Sequence, residues 1–106
     1  MVPAPIGYRI KTLPKGYEEF SMDSATYFYY NGSFYESNGR KYEVVPAPIG
    51  AMVQSIPKEF QKVVINGVNY YIGNGVQYKA VLKDDAIWYQ VIKSNGSNIS
   101  PSLKGR

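Results

Sequence analysis

The sequence predicts an all-β chain in which one strand meander is written twice, and three observations carry that prediction. Residues 2–7 and 45–50 both read Val-Pro-Ala-Pro-Ile-Gly, which sets a repeat of about 43 residues. Between residues 8 and 92, short runs rich in Tyr, Val, Ile, Phe and Thr alternate with turn pairs, the spacing of a meander rather than of βαβ units. At the same offset the copies share Pro14-Lys15 with Pro57-Lys58, Tyr27 with Tyr70, Asn31-Gly32 with Asn74-Gly75 and Tyr35 with Tyr78.

The first copy is predicted to hold strands over residues 8–13, 17–22, 25–30, 33–37 and 40–45. Its breaks are Pro14-Lys15-Gly16, Asp23-Ser24, Asn31-Gly32 and Asn38-Gly39. Asn-Gly is the strongest two-residue hairpin signal, because a type I′ turn needs positive φ at both central residues. The second copy repeats the plan over residues 51–56, 61–65, 68–72, 76–83 and 86–92, broken at Pro57-Lys58-Glu59, Asn66-Gly67, Asn74-Gly75 and Asp84-Asp85. About four extra residues precede its last strand, so Tyr42 and Val44 match Tyr89 and Val91. Residues 57–62 also suit a helical turn, with Pro at a first helical position. Gly16 in the equivalent stretch favours a plain turn. The Val-Pro-Ala-Pro segments are expected to be extended and to lie on an edge or between sheets, since proline fixes φ and donates no ladder hydrogen bond. Residues 93–106 are rich in Asn, Gly and Ser and are expected to form a disordered tail.

With 106 residues the chain is one ordinary domain, while each half lies near the roughly 40-residue limit for independent folding. No cysteine or histidine is present to staple either half. The expectation is therefore one domain over residues 2–92, built from repeat one (2–44) and repeat two (45–92) sharing one core. Each repeat would be about five short antiparallel strands, arranged as SH3-like half-barrels or as a small sandwich.

Comparing the copies suggests which side chains pack. Apolar in both are Phe20 and Met22 with Val63 and Ile65, Tyr27 and Tyr29 with Tyr70 and Ile72, Tyr35 with Tyr78, and Tyr42 and Val44 with Tyr89 and Val91. These are assigned to the core. The other positions vary, as Lys41 and Glu43 against Trp88 and Gln90 illustrate, and they leave Trp88, Tyr71, Phe28, Phe34 and Tyr30 as aromatic residues on the less protected side. Such a strip would stack on sugar rings or on an apolar segment of a partner. The competing reading, favoured by the small size of each half, is that the copies pack these faces together.

Composition narrows the chemistry. Ser-His and Cys-His nucleophiles and the usual zinc ligands lack their partners, so no catalytic residue, metal or cofactor is expected. Glu18-Glu19 would point to opposite faces of a strand, and Asp84-Asp85 reads as a hairpin tip. Three of the four net positive charges come from Lys93, Lys104 and Arg106, and the other basic residues are spread among eight carboxylates, which argues against a nucleic-acid groove. No run approaches the roughly 20 apolar residues of a membrane span. The first repeat begins at Val2, which suggests a leader removed from a secreted or periplasmic protein.

The second copy, Pro-Ala-Pro-Ile-Gly-Ala-Met-Val-Gln-Ser-Ile-Pro followed by Val-Val-Ile-Asn-Gly-Val-Asn-Tyr-Tyr and Gly-Val-Gln-Tyr, resembles a family of uncharacterised bacterial secreted or envelope proteins. That family carries tandem Pro-Pro-x-Gly, Leu-Pro-x-Gly-Tyr, Val-Asn-Gly-x-x-Tyr-Tyr and Gly-x-x-Tyr segments. The first copy supplies Leu13-Pro14-Lys15-Gly16-Tyr17, where the second has Ile56-Pro57-Lys58-Glu59-Phe60. The resemblance implies an envelope, periplasmic or secreted location and no particular activity. The expected function is a non-catalytic binding or structural module that takes a cell-wall glycan, a cell-wall peptide or an envelope protein. The rival is an assembly element that associates by strand addition.

Overall fold

A computed structural model describes residues 5–94 of the chain. Among them there are ten strands and no helix: β1 Arg9–Ile10, β2 Glu18–Met22, β3 Ala25–Tyr30, β4 Ser33–Asn38, β5 Lys41–Val45, β6 Met52–Val53, β7 Gln61–Ile65, β8 Val68–Gly73, β9 Val76–Lys83 and β10 Ala86–Lys93. They form two antiparallel five-stranded sheets of the same order, β1-β5-β4-β3-β2 and β6-β10-β9-β8-β7. The chain divides into two compact units between Val45 and Pro46, at the repeat boundary. Strand β10 reaches Lys93 and Ser94 is buried, within the segment expected as tail. Residues 95–106, and residues 2–4 of the first Val-Pro-Ala-Pro segment, lie outside the described residues.

Turn chemistry explains the meanders. Both central residues have positive φ at Asp23-Ser24, Asn31-Gly32, Asn66-Gly67, Asn74-Gly75 and Asp84-Asp85, the type I′ signature that matches the twist of the flanking strands. The break predicted at Asn38-Gly39 lies one residue later. Asn38 pairs with Lys41, leaving Gly39-Arg40 as the turn with positive φ at Gly39 alone, as in a type II′ connection. Residues 57–60 form a turn in which the Phe60 amide donates to the Pro57 carbonyl at 3.2 Å, and no helix follows.

The signature Pro-Ile-Gly segments have the same role twice. The Tyr8 amide donates to the Pro5 carbonyl and the Ala51 amide to the Pro48 carbonyl, across turns whose Gly7 and Gly50 have φ of 95° and 96°. Each turn is then clamped to the last strand of its sheet. Gly7 donates to Val44, which donates back to Tyr8, all at 2.8 Å; Gly50, Val91 and Ala51 repeat the arrangement at 2.8 Å. This seats β1 beside β5 and β6 beside β10.

Registers correct the face assignment made from the sequence. Across a two-residue hairpin an odd-numbered residue opposes an even-numbered one, as Tyr27 opposes Glu36 and Tyr29 opposes Phe34. Tyr27 and Tyr29 therefore share a face with Phe20 and Phe34, whereas Tyr35, Tyr42 and Val44 share the opposite face with Phe28. The presumed single core set is divided between two faces. The face that keeps its character in both copies holds Phe28, Tyr35, Tyr42 and Val44 in one sheet and Tyr71, Tyr78, Tyr89 and Val91 in the other. Tyr35, Val44, Tyr78 and Val91 are buried there. Its ring pairs also recur, Phe28 on Tyr42 at 5.2 Å and 81° and Tyr71 on Tyr89 at 5.3 Å and 88°, edge-to-face contacts worth about 1 kcal/mol beyond area burial. Ile65 and Ile72, also expected in the core, are exposed.

Candidate functional site

The opposite face of the second sheet is where the copies diverge. Strand alternation from the Asp84-Asp85 turn sets Trp88 across from Val81 and Gln90 across from Lys79. Lys79 in turn opposes Tyr70, and Gln90 opposes Met52. Tyr70, Lys79, Gln90 and Met52 thus make a row across four strands, with Trp88 one step along β10 on the same side. All five side chains are partly exposed. The Lys83 Nζ lies 5.1 Å from the centroid of the Trp88 ring, a cation–π arrangement.

The equivalent positions in the first sheet have different chemistry. Lys41 stands for Trp88, Glu43 for Gln90, Glu36 for Lys79 and Arg9 for Met52. Glu43 is engaged by its neighbours: Arg9 Nε lies 3.5 Å from Glu43 Oε1, and Asn38 Nδ2 donates to the same oxygen at 2.6 Å. On the first face, beside the buried Tyr29 and Phe34, the Glu43 carboxylate is thus satisfied by Arg9 and Asn38. The second presents an indole, a phenol, an amide and two ammonium groups, with no carboxylate at a strand position of that face. Such a surface stacks on a flat ring, hydrogen-bonds hydroxyls and attracts anionic substituents.

The five aromatic residues singled out from the sequence do not form one strip. Trp88 and Phe34 lie on the diverged faces of different units, and Phe28, Tyr30 and Tyr71 lie on the recurring face. Phe34 is only 2% exposed and packs against Phe20 and Tyr29, at 6.2 Å and 4.8 Å between ring centroids. It faces inward rather than outward because the two-residue turn at Asn31-Gly32 sets it opposite Tyr29. Phe28 is held between Tyr17 and Tyr42, and Tyr71 is held by Tyr89. Tyr30 is partly buried, with its Cε1 beside Gly16. Of the set, only Trp88 belongs to the polar-aromatic face.

Sequence reasoning also missed an apolar feature. The four-residue insertion in the second copy lengthens the β9–β10 hairpin by two residue pairs: Ser37–Tyr42 corresponds to Ala80–Tyr89, beyond which three pairs precede the turn instead of one. The added part carries Leu82 opposite Ile87, which are 72% and 52% exposed. An insertion of even length that keeps alternation while adding an apolar pair was the available signal. Glu18 and Glu19 oppose Tyr29 and Phe28 respectively and so point to opposite faces. Among the described residues, no helix is long and apolar enough to cross a membrane.

Fold and surface together define a duplicated all-β module that keeps one packing face in both copies and varies the other. The chain belongs to a family of unknown function (DUF6515), which matches residues 1–95. Comparison with curated proteins found no match, and comparison with solved structures found none either.

Proposed function

We propose that the chain is a non-catalytic binding module of the bacterial envelope, periplasm or secreted space that takes a cell-wall glycan on the Trp88 face of its second repeat. The observation that carries this reading is the replacement of Lys41, Glu43 and Glu36 by Trp88, Gln90 and Lys79 on an otherwise duplicated scaffold. In a duplicated fold, packing constrains the positions that stay alike. Positions that change from charged residues to an aromatic-amide set are free to serve recognition. Cell-wall saccharides offer apolar ring faces for Trp88 and Tyr70, hydroxyls for Gln90, and carboxylates for Lys79 and Lys83. The envelope location accords with the tandem Pro-x-Gly and Tyr-Tyr motifs.

Trp88 is the single tryptophan of the chain, so its emission reports this face alone. Titration with soluble peptidoglycan fragments should shift that emission saturably. Gln90→Ala and Lys79→Ala should each weaken binding by about tenfold, the loss of one hydrogen bond to a charged or polar ligand group. Emission that stays constant to millimolar fragment contradicts the glycan reading.

A further inference from the structure

We infer that this chain associates with further copies of itself head to tail, the edge strand β2 of one copy adding antiparallel to the edge strand β7 of the next. Strands β2 and β7 are the outermost strands of their sheets, and among the described residues no strand pairs with their outer sides. Both run five residues without proline or bulge, and the charges that would blunt each edge against its own kind, Glu19 on β2 and Lys62 on β7, are opposite in sign.

Backbone geometry sets the allowed register. The two-residue turns make Met22–Ala25 and Ile65–Val68 the hydrogen-bonded closing pairs. Alternation then directs the backbone groups of Phe20 and Glu18 inward to β3, and those of Tyr17, Glu19 and Ser21 outward. In the second sheet Val63 and Gln61 point inward, and Lys62 and Val64 point outward, the Phe60 amide being engaged by Pro57. An added strand must match outward residues with outward residues. One such register sets Glu19 against Lys62 and Tyr17 against Val64.

The side chains in this register complement one another. Glu19 and Lys62 are exposed and opposite in charge. Tyr17 and Val64 are 44% and 58% exposed, and an aromatic residue opposite a β-branched one is a favourable cross-strand pair. Glu19 and Lys62 occupy equivalent places in the two copies, so the same register between two β2 edges would oppose Glu19 to Glu19, and between two β7 edges Lys62 to Lys62. Charge therefore selects the mixed pairing. The recurring faces of the two sheets also come out on the same side, because Glu19 shares its face with Phe28 and Lys62 shares its face with Tyr71. Each added copy leaves one β2 and one β7 edge open to a further copy, the heterologous arrangement that builds rings or filaments. This inference uses neither Trp88 nor any ligand.

The test is sedimentation velocity of the full chain across a wide concentration range at low and moderate salt. The expected result is a mean mass above that of the monomer, which rises with concentration and falls with salt. Glu19→Lys and Lys62→Glu should each weaken association by more than roughly tenfold, as expected when like charges oppose. The double reversal should return it to near the parent value, with thermal melts showing that all three variants fold. A monomer throughout, or folded variants whose double reversal fails to restore association, would each overturn the inference. Glycan titration monitored at Trp88 is unaffected by that failure, so the two readings fall separately.

Discussion

Tyr35 and Tyr78 hold the same place in the two sheets, but only the Tyr35 hydroxyl has a hydrogen-bond partner, Ser33. The residue at the place of Ser33 in the second copy is Val76, which is buried and has nothing to offer a phenol. An unmade hydrogen bond on a buried hydroxyl costs about 1 to 3 kcal/mol, whereas a made one contributes about 1 kcal/mol. Tyr78→Phe should therefore stabilise the chain by about 1 kcal/mol, and Tyr35→Phe should destabilise it by a similar amount. Urea unfolding midpoints measure both, and shifts of the same sign contradict the argument.

The same burial gives a pH dependence. Desolvation raises the Tyr78 pKa above its ordinary 10.0, and desolvation also raises that of Tyr35. In the unfolded chain both phenols ionise near their ordinary value, while the folded chain keeps them neutral. Below that pH their contribution is fully present. Above it the unfolded state holds fewer protons than the folded one, so stability falls as pH rises. Denaturant midpoints above pH 10 should decline in the parent and decline less steeply in Tyr78→Phe.

Gly73 lies beneath the Phe60 ring, where a Cβ would overlap ring carbons. The first copy has Tyr30 of β3 at the place of Gly73, whereas the ring over Gly73 comes from the turn before β7. Gly73→Ala should cost about 1 to 3 kcal/mol through overpacking. In a Phe60→Ala background the same change should be neutral or stabilising, since alanine suits a strand better than glycine by roughly 0.5 to 1 kcal/mol. A double-mutant cycle that shows simple additivity contradicts the contact.

Much of the fold was legible in the sequence because its punctuation is local. Asn31-Gly32, Asn66-Gly67 and Asn74-Gly75 are chemically suited to positive φ, and strands β2, β3, β7 and β9 begin within a residue of where they were expected. The sides were harder to read, although the same turns contained the answer. Pairing Tyr30 with Ser33 forces Tyr29 opposite Phe34, so a residue matched between copies does not share a face with every other matched residue. Trp88 was found because it is a large aromatic at a position where the other copy has Lys41. Gln90 is legible beside it, two residues along the same strand, whereas Lys79 and Tyr70 are not, because they join the face only through registers across three strands.

Ser24 and Asp85 hold φ of 67° and 63°, a region that costs a residue with a Cβ roughly 1 to 2 kcal/mol. Ser24→Gly and Asp85→Gly should each raise the melting temperature, with a gain of about 1 kcal/mol after the added freedom of the unfolded chain is counted. Asp85→Gly should leave Trp88 emission and glycan binding as they are, because Ala86 still opposes Lys83 across the turn. A lower melting temperature in either variant contradicts the turn assignment.

The division of labour between the two faces of the second sheet is tested most directly by mapping chemical shifts of labelled protein during titration with peptidoglycan fragments. The account predicts saturable shifts at the Trp88 indole and at the Lys79 and Gln90 side chains, with Tyr71 and Tyr89 unmoved. Shifts centred on Tyr71 and Tyr89, or none on either face, would contradict it.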